Sequence, residues 1–300
     1  MVINSFRQPL KMLLRDLWQP LIPILGYILL VCWLDIQFHL ENYNFPVTLV
    51  AVLGTVIGLV LAFRTNSSYG RWWEARTIWG AIVNDSRSWA RQLSEFVAEA
   101  DSERVDVQRM VYRQIAWCYA LTRSLRGQDP LQDLSGLLPD SEIETYAGNR
   151  HVPNELLQRQ ATELKQLHQA SRLELFQWIE LEQTLTRLTN SMGGCERIKN
   201  TPFPMSYSRI VDACIYLFAF FLPFSLVNVP APTLIATSLS LSLSFLLIER
   251  VAIYLENPFD NHATDTPMLS LSRVIEINLR QMLNERELPP RLEPADGVLM

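Results

Sequence analysis

Histidine is the side chain best suited to acid–base or metal chemistry near neutral pH, and the four in this chain, His39, His151, His168 and His262, stand alone. No HExxH or other close ligand spacing joins them, so each is expected to be a surface or interface residue, with no metal site. Cys32, Cys118, Cys195 and Cys214 are far apart and form neither a zinc nor a disulfide framework. Serines are abundant, yet none sits in a GxSxG elbow, and no glycine-rich phosphate loop leads into a helix. With no group of residues able to activate a nucleophile or carry a proton, the chain is expected to be neither an enzyme nor a cofactor protein.

What remains are three dense segments: RTNSSYGRWWEARTIWGAIVNDSRSWARQ at 64–92, GGCERIKNTPFPMSYSR at 193–209, and ENPFDNHATDTPMLSLSRVIEINLRQML at 256–283. In the first, Trp72 and Trp73 beside Arg71 and Arg76 also fit a membrane-interface belt, with rings at headgroup depth and long cationic chains snorkelling.

The elements that must position these segments follow from hydropathy. The 300 residues are 49% hydrophobic and 19% charged, with a mean hydropathy of +0.08, but the apolar residues crowd into the first quarter and into 211–255. A spanning helix needs about 20 predominantly apolar residues. Leu21 to Phe38, Phe45 to Phe63, a stretch from Val211, and Thr233 to Leu255 meet that need as four spans. Serines 238, 240, 242 and 244 alternate with leucines, but the run is too long for a strand; a helix is expected, its hydroxyls bonding neighbouring helices. Residues 1–20, with Phe6, Leu10, Leu13, Leu14 and Trp18 toward one side, read as an N-terminal amphipathic helix at a membrane surface or as an ordinary leading helix. A cleaved signal peptide is not expected.

The connections at 39–44 and 228–232 lack Lys and Arg, whereas the flanks of 64–209 are Arg-rich; both termini and the middle region are therefore expected on the cytoplasmic side. The organisation is 1–20 leading helix, 21–63 first and second spans, 64–209 cytoplasmic helical region, 210–255 third and fourth spans, and 256–300 cytoplasmic C-terminal segment. Within the middle region, Trp72, Trp79, Ile82, Trp89 and Leu93 mark one amphipathic helix and Val107, Met110, Ile115 and Tyr119 a second, starting near Asp101–Ser102 and stopping at Gly127–Pro130. A further helix pair over 153–192 should end at Gly193–Gly194. The fold class is all-α: four transmembrane helices per subunit with a cytoplasmic helical bundle. A net charge of -5 without a clustered basic surface excludes nucleic acid as a partner.

The blocks RTNSSYGRWWEAR, GCERIKNTPFP and ENPF…SRVIEINL resemble the signature stretches of the bestrophin family, above all its bacterial members, and occupy matching places relative to the spans from about residue 5 to 285. The resemblance implies a homopentamer in the cell (inner) membrane, with five second spans around a central pore that narrows at an apolar neck and again deeper in a cytoplasmic vestibule. Carried over by counting from RWW, the neck falls on Thr55, Leu59 and Phe63, which spacing by four places on one helix face. Composition alone would make Leu59 and Phe63 lipid-facing or packing residues. Apolar rings close a pore by dewetting, and Thr55 is more polar than the resemblance leads one to expect. Gly54 and Gly58 form a GxxxG suited to close helix contact.

The cytoplasmic aperture is carried over to Leu185. Arg71, Trp72, Trp73, Glu74, Asn257, Pro258 and Phe259 are expected in structural or interface roles, and Glu196 with Arg197 as a buried ion pair or a solvated surface pair. Animal members follow NPF with a dense acidic run; here only Asp260 and Asp265 fall in the corresponding six residues, too few carboxylates for a calcium site of six to eight oxygens. The expected function is passive conduction of small monovalent ions, with the lipid bilayer and the permeant ion as partners. A secondary transporter, or a non-conducting scaffold or sensor, is the alternative. Net charge, with Asp85 and Glu95, leans toward cations, whereas the positive ring edge of Phe63 would suit anions.

Overall fold

The computed structural model describes residues 7–39, 45–97 and 101–294, with side chains from 15 and, in the helix beginning at 101, from 104. Among the described residues there are nine helices and no strand: α1 (Arg7–Phe38), α2 (Val47–Phe96), α3 (Asp101–Leu125), α4 (Asp140–Tyr146), α5 (Val152–Gln169), α6 (Leu175–Asn200), α7 (Met205–Phe224), α8 (Ala231–Glu256) and α9 (Met268–Met282). Parts of α1, α2, α7 and α8 are long and apolar enough to cross a membrane, the expected four. Phe6, the side chains of Leu10, Leu13 and Leu14, and most of the first connection lie outside the described residues.

The chain divides into two compact units. One comprises Asn4–Trp72 and Pro202–Asn257, the other Trp73–Thr201 and Pro258–Met300. In the first, α1 packs on α7 and α8, and α7 on α8. Ile28, Ile57, Leu61, Ile215, Phe218 and Leu246 form the centre of its core. Tyr27 stacks on Phe220 and donates its hydroxyl to the Phe220 carbonyl at 2.9 Å. The leading segment is not a separate helix: α1 runs unbroken through Pro20 and Pro23. Prolines are tolerated inside spanning helices because neighbouring groups re-satisfy the freed carbonyls. In α8, Ser244 donates to its own helix at the Ser240 carbonyl at 2.8 Å, the carbonyl one turn back being its acceptor, while the buried hydroxyls of Ser238 and Ser242 have no partner, so none of these three makes the expected bond to a neighbouring helix within the subunit.

In the second unit α3 is central, packing on α5, α6 and α9, and Arg113 through Thr122 are buried without interruption. The expected stripes are buried here: Trp79, Ile82, Trp89 and Leu93 from α2, and Val107, Met110, Ile115 and Tyr119 from α3. Several buried polar groups of α3 find partners. Arg113 bonds Glu142 and Glu163, Gln114 donates to Ser86 at 3.0 Å, and Tyr119 donates to Glu276 of α9 at 2.6 Å. α3 stops where Gly127 adopts φ +66°, a conformation that costs glycine little. α6 opens with a reciprocal capping box between Glu174 and Gln177.

α2 runs on past Phe63 to Phe96, 50 residues in all or about 75 Å at 1.5 Å per residue, since RTNSSYGRWWE contains no proline and a single tolerated glycine. One boundary differs from expectation: α6 does not stop at Gly193–Gly194 but runs to Asn200. Gly194 serves packing: a Cβ there would stand 2.9 Å from Cδ1 of Ile78 on α2.

Candidate functional site

Within the first unit, α2 has two unlike faces. Val50, Ile57, Leu61, Arg64 and Ser68, spaced by seven, four, three and four, are buried. Thr55, Leu59 and Phe63 are exposed, Leu59 by 59% and Phe63 by 62%. At about 100° per residue, these three lie within an arc of about 80°. The Thr55 hydroxyl donates to the Ala51 carbonyl at 2.9 Å, so its donor is committed to the backbone. A Cβ on Gly54 would lie 3.2 Å from the Phe218 ring, whereas one on Gly58 would meet nothing within 4 Å; only the first glycine of the pair serves a close approach inside the unit.

Immediately after Phe63, Arg64 turns inward and is 2% exposed. Its Nη1 donates to Glu249 Oε1 at 2.9 Å and its Nη2 to Ser208 Oγ at 3.1 Å, with Glu256 Oε2 at 3.6 Å. The guanidinium lies 5.8 Å from the centre of the Phe203 ring. Sequence reasoning missed this cluster, because Glu249 and Arg250 looked like ordinary flanking charges of the fourth span. Two turns along, Arg71 Nε donates to the Glu256 carbonyl at 2.9 Å, satisfying an orphan acceptor at the C-terminus of α8. Trp72 stacks on Tyr69 at 5.9 Å, and Asn257 closes α8 as its C-cap residue.

Within the second unit, Trp73 is exposed, and Glu74 accepts from Arg197 of α6. Glu196 pairs instead with His151 Nε2 at 2.7 Å. Glu196 and Arg197 therefore do not form a buried ion pair: neighbours on a helix point about 100° apart, and each takes a partner on another element. Leu185 is 4% exposed, packed in the unit's core among Leu181 and Leu188. Among the described residues the most exposed large apolar side chain is Phe176, at 78%, with Leu175 and Ile179 exposed beside it on the first turns of α6.

Pro258 and Phe259 are buried, Phe259 in the core of the second unit. Asp260 accepts from Lys199, and the Asp265 carboxylate accepts from the His262 backbone N–H at 3.0 Å. Burial raises the Asp265 carboxyl to about 6. Among the described residues no three His, Cys, Asp or Glu side chains are grouped to hold a metal ion.

Against this geometry the similarities to known proteins are specific. Residues 5–281 match the family described as Bacterial/Fungal Bestrophin protein. A voltage-dependent anion channel-forming protein from Ralstonia nicotianae is 32% identical over 258 residues, covering 86% of this chain and 82% of the relative. The voltage-dependent anion channel-forming protein YneE of Escherichia coli K12 is 30% identical over 264 residues, 87% of this chain and 82% of YneE. The crystal structure of a bacterial bestrophin homolog from Klebsiella pneumoniae superposes with a TM-score of 0.82 at 29% identity, covering 89% of this chain and 98% of that one. The RWW, TPFP and NPF blocks, the four membrane-length helices and these matches agree, and the chain belongs to the bacterial and fungal bestrophin family, whose members form channels and are not enzymes.

Proposed function

We propose that this protein is a homopentameric channel of the cell membrane, with both termini cytoplasmic, that conducts small monovalent anions passively between five α2 helices. The carrying observation is the two-faced α2: one face is held inside its own subunit, and the other presents Thr55, Leu59 and Phe63, uncharged and exposed. Rings of Leu59 and Phe63 make a neck that binds no ion tightly and gates by wetting, the physical requirement for fast conduction.

Anions are the permeant class given in the names of the relatives. The positive edges of five Phe63 rings favour them. Part of the sequence-based lean toward cations falls away, because Asp85 is paired with Arg187 at 2.8 Å. For the cytoplasmic aperture, the exposed Phe176 is the better residue; Leu185 is committed to its own core. A transporter needs discontinuous helices at its substrate site, whereas α2 and α8 run unbroken.

Reconstitution into liposomes loaded with potassium chloride tests this reading. Release of chloride when potassium is carried by valinomycin is the expected result. Potassium release with chloride retained would reverse the ion class, and retention of both by an intact oligomer would favour a scaffold.

A further inference from the structure

Phe63 and Arg64 are adjacent, yet one is among the most exposed side chains of the first unit and the other among its most buried. Arg64 is gripped from two helices at once, by Ser208 of α7 and Glu249 of α8. A guanidinium is a planar fork whose donors satisfy two acceptors only in one orientation. A buried charge in a spanning region cannot let go of its partners without desolvation cost. The turn of α2 that carries Phe63 is thus fixed in rotation by the residue behind it, and Arg71 on the Glu256 carbonyl holds the same helix two turns further on.

We infer that the buried Arg64–Glu249 pair is a positioning latch for the neck: by fixing the rotation of α2, it holds the Phe63 ring at the constriction. The latch rests on the pore reading proposed above. It carries no ion itself, because its charges are turned away from the exposed face and paired. Loosening it lets α2 turn, moves Phe63 off the constriction and widens the neck.

The test is a double-mutant cycle on unitary conductance in planar bilayers: Arg64→Met, Arg64→Lys and Glu249→Gln, each in the wild-type chain and in Phe63→Ala. Should Arg64→Met fail to assemble, Glu249→Gln, which keeps shape and an acceptor, carries the test. Arg64→Met and Glu249→Gln are expected to raise conductance about threefold, Arg64→Lys less, and all effects should vanish once Phe63 is alanine. A merely structural pair would change the number of channels and not the size of the unitary step. Equal effects in both backgrounds, or an unchanged step in the wild-type background, overturn the latch and leave the channel standing. A conductance indifferent to Phe63→Ala overturns the neck reading and the latch together.

Discussion

Gly194 of α6 faces Ile78 of α2 so closely that a Cβ would stand 2.9 Å from the Ile78 Cδ1. Gly194 therefore marks a helix crossing and not a helix end. Alanine is tolerable there, since the neighbouring atom is the tip of a side chain. A branched residue is not: Gly194→Val is expected to destabilise by about 1–3 kcal/mol through overpacking. Ile78→Ala in the same chain should restore part of the loss, read as melting temperature in detergent. No rescue would contradict the contact.

Leu185 is buried and Phe176 exposed, so the proposed pore predicts different outcomes for the two. Leu185→Ala should cost about 2–5 kcal/mol by leaving a cavity, with the unitary conductance of surviving channels unchanged. Phe176→Ala, at a side chain 78% exposed, should leave the melting temperature within a degree or so and alter ion throughput or selectivity. The opposite pattern would return the aperture to Leu185.

Asp265 gives the second unit a pH dependence of definite sign. Burial raises its carboxyl from 3.8 to about 6, so the folded chain holds this proton more tightly than the unfolded chain. Its contribution to stability is full below the unfolded value and is lost as pH rises through the folded one. Asp265→Asn keeps an acceptor for the His262 N–H and removes the titration. Relative to wild type, the variant should therefore gain on the order of 1–3 kcal/mol between about pH 4 and pH 7.5. A constant difference across that range would contradict the account.

Arg197 and Arg113 contrast the worth of ion pairs by burial. Arg197 is 66% exposed in its pair with Glu74, and Arg197→Ala is expected to cost less than about 1 kcal/mol. Arg113 is 1% exposed between Glu142 and Glu163, and Arg113→Met should cost about 3–5 kcal/mol by taking the guanidinium from Glu142 and one of the two arginines from Glu163. Chemical denaturation of the two variants checks the ranking.

Periodicity made much of this fold legible. The stripe through Trp79, Ile82, Trp89 and Leu93 and the charge-free run up to Phe63 follow from the 3.6-residue repeat and from the thickness of a bilayer. The Arg64–Glu249 pair was hidden because its members are 185 residues apart and each resembles a flanking charge. Leu185 and Phe176 both look like helix-face apolar residues, and only packing tells the one turned inward from the one left open. Glu196 and Arg197 looked like a pair because they are neighbours, and adjacency on a helix is what points them apart.

The most direct test of the central claim is single-channel recording of the purified protein in planar bilayers under an asymmetric salt gradient, comparing wild type with Leu59→Ala and Phe63→Ala. A pore through the exposed face of α2 predicts unitary currents that reverse at the anion potential and grow in both variants. Currents indifferent to both substitutions, or silence from all three proteins with the oligomer intact, would contradict it.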